Sequence, residues 1–187
     1  IEKVEGVSAN TATFLSLITQ VGRYYQVKRF EVGDILRTTD QCGKYLVPHF
    51  FGREQETVFL LCLDAKCKVI CCKKVGEGSV NSANIPVRRV VEMALAANAT
   101  TVVLAHNHPS GLAIPSPDDI QTTQRVAAAL ETVEIVLADH IVVSKDAVNL
   151  FYIQAVSTFL TLDKVEGREG IANCIFVCVN CYGNALA

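Results

Sequence analysis

The sequence predicts an α/β protein: a three-layer mixed sheet with flanking helices, preceded by a small helical piece. Three observations carry that expectation. Between residues 56 and 143, short apolar or β-branched runs alternate with segments of helical period, in the order strand, strand, helix, strand, helix, strand, strand. Half of the 187 residues are hydrophobic and 19% are charged, enough apolar material to bury a core and too much for a disordered chain. The length suits one domain of ordinary size with some extra and is short for two large ones.

Each element has its own signal. In residues 1–30, Val4-Glu5-Gly6-Val7-Ser8 reads as a turn, and residues 11–24 as a helix with Phe14, Leu15, Ile18, Val21 and Tyr25 at helical spacing. Residues 31–36 are a connector. Thr38 or Thr39 caps a second helix that runs to about residue 50. The period then changes: residues 57–63 form a β-type run, Asp64-Ala65-Lys66 a turn and residues 67–72 a second run, together a hairpin. Residues 76–85 form a loop rich in Gly, Ser and Asn. Pro86 suits a first helical position, and Val87, Val90, Val91, Ala94 and Leu95 make one apolar face. Residues 100–105 are a short apolar strand, followed by a long loop with Pro109, Gly111 and Pro115. Ser116 opens a helix to about residue 131, and residues 133–137 and 141–143 are two more strands. Beyond about residue 153 the texture changes, and we separate residues 154–187 as a tail.

Lys and Arg number 17 against 19 Asp and Glu, a formal charge of −2, which argues against a broad basic footprint for nucleic acid or an anionic membrane and leaves room for a small local patch. The eight cysteines mostly lie in apolar runs, and we read them as reduced, buried thiols of a cytoplasmic protein. No uninterrupted apolar run reaches the roughly 18 residues of a membrane-spanning helix, and no basic segment followed by an apolar signal region opens the chain. It begins at Ile1 rather than Met, which we read as a piece of a longer protein.

The strongest chemical feature is Ala105-His106-Asn107-His108-Pro109-Ser110-Gly111, followed by Pro115-Ser116-Pro117-Asp118-Asp119. Side chains two apart on a strand share a face, so His106 and His108 can aim two imidazoles at one point. Asp119 starts the next helix, after a loop able to fold back. Two His nitrogens and one carboxylate oxygen suit zinc, and three protein ligands leave a fourth position open, as catalytic sites do. Asp119, three positions after Ser116, also fits a capping box with Pro117 as first helical residue. The two readings are compatible, because a capped helix start would hold Asp119 rigidly. A water activated at such a site needs a base. Glu54, Glu56 and Glu77 are candidates. Glu56 directly precedes the first core strand, and its alternative role is a solvated acid in the polar run Arg53-Glu54-Gln55-Glu56.

These residues together resemble the RadC family, whose JAB/MPN domain carries the JAMM metalloprotease-type motif: Glu, then His-x-His-Pro, then Ser-x-x-Asp. Here Glu56, His106, His108, Pro109, Ser116 and Asp119 match it in identity and order, with Asp139-His140-Ile141 downstream. Gln55-Glu56 through Leu63-Asp64 matches the family's strand opening. The likeness is strongest over residues 36–146, and we place the domain at 36–153. It implies a fold similar to the cytidine-deaminase architecture, with Zn2+ held by His106, His108 and Asp119. It implies Glu56 as general base and Ser116 as hydrogen-bond donor to a developing oxyanion. Related JAMM enzymes cleave peptide or isopeptide bonds, so the expected partner is a peptide or protein substrate. Residues 1–30 look like the end of the family's helix-hairpin-helix region, with Ser8 where a second Gly is common, which weakens a phosphate cradle there. The competing reading is therefore a DNA-repair-associated nucleic-acid-binding or interaction module with a structural or vestigial zinc. A nucleobase deaminase needs His-x-Glu and Pro-Cys-x-x-Cys, and neither occurs.

Other features are set aside. Cys174-x3-Cys178-x2-Cys181 has a spacing seen in iron–sulfur sites, in a poor context near the end of the chain. Residues 154–187 depart from the family's pattern. Lys66, Lys68, Lys73 and Lys74 give the hairpin a solvated basic side. His49 and His140 are structural, with His140 able to support a ligand through an outer hydrogen bond.

Overall fold

A computed structural model describes residues 4–30, 32–78, 85–109, 114–144 and 150–153. Its elements are α1 (Ala9–Lys28), α2 (Thr39–Phe50), β1 (Thr57–Leu63), β2 (Val69–Glu77), α3 (Val87–Ala96), β3 (Thr101–His108), α4 (Pro117–Glu131), β4 (Val136–Ser144) and β5 (Leu150–Ile153). The strands form one sheet in the order β2-β1-β3-β4-β5. Only β3 and β4 run parallel, joined through α4, and the other neighbours are antiparallel. The sheet is therefore mixed, as its sequence predicts.

Strand alternation divides the core into two layers. Phe59, Leu61 and Leu63 of β1 and Val103 and Ala105 of β3 face α2, meeting Cys42, Tyr45, Leu46 and Phe50. Val58, Leu60 and Cys62, with Val102 and Leu104, face α3 and α4, meeting Val90, Ala94, Val126 and Leu130. The central strands are apolar on both sides because both sides are covered.

Local chemistry sets the boundaries. Thr38 caps α2, its hydroxyl accepting from Gln41 N at 3.2 Å. In the β1–β2 turn, Asp64 Oδ1 accepts from the amides of Lys66 (2.8 Å) and Lys68 (2.9 Å). Ser8 caps α1 by accepting from Thr11 N at 3.2 Å. That helix is longer than the 11–24 expected, and its apolar stripe is not covered: Phe14 is 63% and Tyr25 69% exposed, while Ala12 is its one buried residue. It meets the turn after α2 at Gly52, whose φ is +68° and where a Cβ would sit 2.0 Å from Thr19 Cγ2.

Three strand boundaries differ from the sequence reading. Where two strands at 133–137 and 141–143 are expected, there is one, β4. The polar Ala138-Asp139-His140 step reads as a break, but an irregularity in register between Val102 and Val103 absorbs it, setting Asp139 opposite Val103 and His140 opposite Leu104. The second hairpin strand begins at Val69 and reaches Glu77, into the expected loop. β3 continues through His108 instead of ending at 105. Cys42, Cys62 and Cys67 are buried and Cys71 and Cys72 half-buried, and no disulfide joins cysteines among the described residues. Cys174, Cys178, Cys181 and the tail 154–187 lie outside the described residues. Among the described residues, no helix is long and apolar enough to cross a membrane.

Candidate metal centre

The site forms where β3 ends against the first turn of α4. His106 and His108 leave the same face of β3, and their Nε2 atoms lie 2.8 Å apart. Asp119 reaches them from α4: His106 Nε2 is 3.2 Å from Oδ1, and His108 Nε2 is 3.5 Å from Oδ2. His106 and Asp119 are fully buried, and His108 is half-buried. Lone-pair nitrogens and a carboxylate gathered this closely in a buried place suit a shared cation, and the three residues could hold a metal ion.

Asp119 is held by the capping box that its spacing suggests. Ser116 Oγ accepts from Asp119 N at 3.1 Å, and Asp119 Oδ2 accepts from Ser116 N at 2.6 Å and Ser116 Oγ at 2.7 Å. The cap and the cluster thus use the same carboxylate. The Ser116 hydroxyl proton is directed at Asp119 in this structure.

Glu56 stands one residue before β1. Val58 pairs with His106 at the end of the antiparallel β1–β3 ladder, and Glu56, two residues before it, falls by strand alternation on the face that carries both histidines. Asn107 fixes that register. Buried between the two histidines on the opposite face, its Oδ1 accepts from Thr57 N at 2.8 Å and its Nδ2 donates to Gln55 O at 3.3 Å, holding the peptide groups on either side of Glu56. Glu54 and Glu77, the other candidate bases, are exposed. Glu77 is paired with Arg53 and Lys74, and its hydrogen bond with Lys74 above all holds its pKa below the ordinary value. A cavity of about 230 Å³ opens beside Glu56, lined also by Val58, Val75, Ile85, Pro86, Glu77 and Arg89.

His140, on β4, extends the cluster. Its Nε2 lies 2.8 Å from His106 Nδ1, and its Nδ1 lies 2.6 Å from Thr123 Oγ1. Burial first, then the neighbouring His106, holds its pKa well below the ordinary value. Thr123 Oγ1 donates in turn to Asp119 O at 2.6 Å. The sequence reading names His140 but misses Thr123 and Asn107. Thr123 is visible only as a hydroxyl four residues after Asp119, one helical turn on. Asn107 shows itself as a polar residue inside an otherwise apolar strand.

A family model described as the RadC-like JAB domain matches residues 36–153. The chain belongs to the RadC family. Among its relatives, each named "UPF0758 protein", one from Alcanivorax borkumensis is 36% identical over 138 residues, covering 74% of this chain and 62% of the relative. One from Vibrio cholerae is 37% identical over 137 residues, covering 73% and 61%. One from Cellvibrio japonicus is 37% identical over 129 residues, covering 69% and 58%. The chain thus spans about three-fifths of the length of the curated relatives it matches. Within this RadC-like JAB domain, the matched span contains Glu56, both strand histidines, Ser116, Asp119, Thr123 and His140.

Proposed function

We propose that this RadC-family domain is a zinc-dependent hydrolase of the JAMM type, acting on a peptide or isopeptide-like carbonyl of a peptide or protein substrate. One observation supports the reading above others: two imidazoles and a buried carboxylate converge from β3 and α4, with Glu56 two residues before Val58, the partner of His106. The donor set fits zinc, because neutral imidazole nitrogen and carboxylate oxygen are its usual non-sulfur ligands. His106, His108 and Asp119 would hold it. When bound, zinc supplies Lewis acidity, bringing the pKa of water down to about 7.

The chain's own residues do the rest. Glu56 takes the proton from the attacking water and returns it to the leaving nitrogen. The Asn107 amide keeps the Glu56 backbone in register with His108. Ser116 turns its hydroxyl from Asp119 toward the oxygen that gains charge in the transition state. The substrate's flanking chain enters the cavity beside Glu56, whose lining is mostly apolar and includes Glu77 and Arg89.

Elemental analysis of protein purified without chelator tests the metal, alongside His108→Ala. The expected result is about one zinc per chain in the parent and almost none in the variant. A panel of linear and isopeptide-linked substrates then tests the base. Glu56→Gln is expected to keep its zinc and lose about 10²–10⁴-fold in turnover. Equal turnover by Glu56→Gln would remove Glu56 from the mechanism, and absence of metal after reconstitution with zinc would reject the hydrolase.

A further inference from the structure

We propose that Thr123 and His140 set the tautomer of His106, keeping its Nε2 unprotonated toward His108 and Asp119. The inference deepens the metal reading above and rests on it for its consequence, though not for its geometry.

Proton counting along the chain of contacts leads there. A threonine hydroxyl has one proton, and a carbonyl oxygen only accepts. Thr123 Oγ1 lies 2.6 Å from Asp119 O, so its proton is spent on that bond. Toward His140 Nδ1, 2.6 Å away, Oγ1 can therefore only accept, and Nδ1 carries the hydrogen. The His140 ring is fully buried, which favours its neutral form, and a neutral ring protonated on Nδ1 has an acceptor at Nε2. The group facing that Nε2 at 2.8 Å is His106 Nδ1, which must donate. His106 is then left with a lone pair on Nε2, the atom that lies 2.8 Å from His108 Nε2 and 3.2 Å from Asp119 Oδ1.

The chain begins and ends on the same cluster. Asp119 contributes its carboxylate to the site and its backbone carbonyl to the relay, and Thr123 sits one turn along the same helix. A threonine bonded to the carbonyl four residues back is also common in helices with no wider purpose. The two roles differ in what happens at a distance: local back-bonding leaves His106 indifferent to Thr123, whereas the relay makes an atom three hydrogen bonds from the Asp119 carbonyl depend on it.

The protein has four histidines, so their side-chain nitrogens can be assigned one by one. Long-range ¹⁵N–¹H spectra of the metal-free full chain at mildly alkaline pH should show His106 and His140 both protonated on Nδ1. Thr123→Val replaces the hydroxyl by a methyl of like volume. It is expected to shift His140 and His106 toward the other tautomer and to weaken zinc binding about 10-fold or more, measured by competition with a chelating dye. Thr123→Ser, which keeps the hydroxyl, should restore zinc affinity to within about threefold and return the parent spectrum. A parent His106 with its proton on Nε2 overturns the proposal, as does a folded Thr123→Val with parent tautomers and affinity. If Thr123→Val does not fold, the parent spectrum still decides. Predicted tautomers in a chain that takes up no zinc would sink the metal reading and leave the relay standing.

Discussion

Asp139 lies next to His140 in the chain but faces the other layer of the core, toward α2. It is 4% exposed, and its Oδ1 accepts from the His140 amide at 2.8 Å. Burial raises its pKa from an ordinary 3.8 to about 6, with the Thr39 hydroxyl and the His140 amide working against the rise. The folded state therefore holds the proton more tightly than the unfolded chain. The stability this gives is present in full below about pH 4 and is lost as pH rises through about 6, on the order of 3 kcal/mol in all. Urea denaturation of the parent and Asp139→Asn at both ends of that range checks it: the variant should gain on the parent as pH rises, and a constant difference would mean that the carboxyl titrates normally. Residue by residue, the sequence showed the donors and hid their orientation. His106, His108 and Asp119 were legible from spacing, because a strand's period of two and a capping box each fix geometry locally. The side-chain hydrogen bonds of Asn107 to residues 55 and 57 and of Thr123 to His140 were not, since each depends on which strand lies alongside.

The helices that deliver β3 and β4 end in the same way. After α3, Asn98 N bonds to Leu95 O and Ala99 N to Ala94 O, with Asn98 at φ 49°. After α4, Glu134 N bonds to Glu131 O and Ile135 N to Leu130 O, with Glu134 at φ 60°. Both have the bond pattern of a Schellman motif, and the apolar residue just beyond each turn joins the cluster that holds the last helical turn. Asparagine tolerates a left-handed backbone, whereas glutamate there costs roughly 1 kcal/mol. Glu134→Gly, at an exposed position, is therefore expected to stabilise the protein by about 0.5–1 kcal/mol, read as a higher denaturation midpoint at constant m. Asn98→Gly should change less. A loss of stability in Glu134→Gly would show that its side chain does something the geometry does not reveal. At this scale the sequence carried helix starts well, because Thr38 and Ser116 announce themselves. It carried strand lengths poorly: neither the register irregularity at Val102/Val103 nor the reach of β2 to Glu77 has a local signal, as both follow from pairing with a neighbour.

For the molecule as a whole, the sheet order decides more than any single element. The layered α/β architecture was legible because strands buried on both faces are written in uninterrupted apolar runs. The uncovered stripe of α1 was not, since a helical period says which residues share a face and nothing about what meets it. If the centre binds zinc as proposed, the ion also stabilises the fold. Free zinc at about one hundred times its dissociation constant would add about 2.7 kcal/mol. A chelator should therefore lower the Tm of the parent and leave His108→Ala where it was, and equal shifts in both would place the binding elsewhere. β3, which bears both histidines, is flanked on each side by hydrogen-bonded strands, while Glu56 sits just outside the first paired residue of β1. The amides of residues 102–106 should be among the slowest in the protein to exchange with deuterium, and those of 54–56 far faster. If the centre acts as proposed, brief local opening would free Glu56 while the histidines stay in place, so a bound ion would outlast fluctuations that interrupt turnover. Retention and catalysis would fail at different temperatures, retention last.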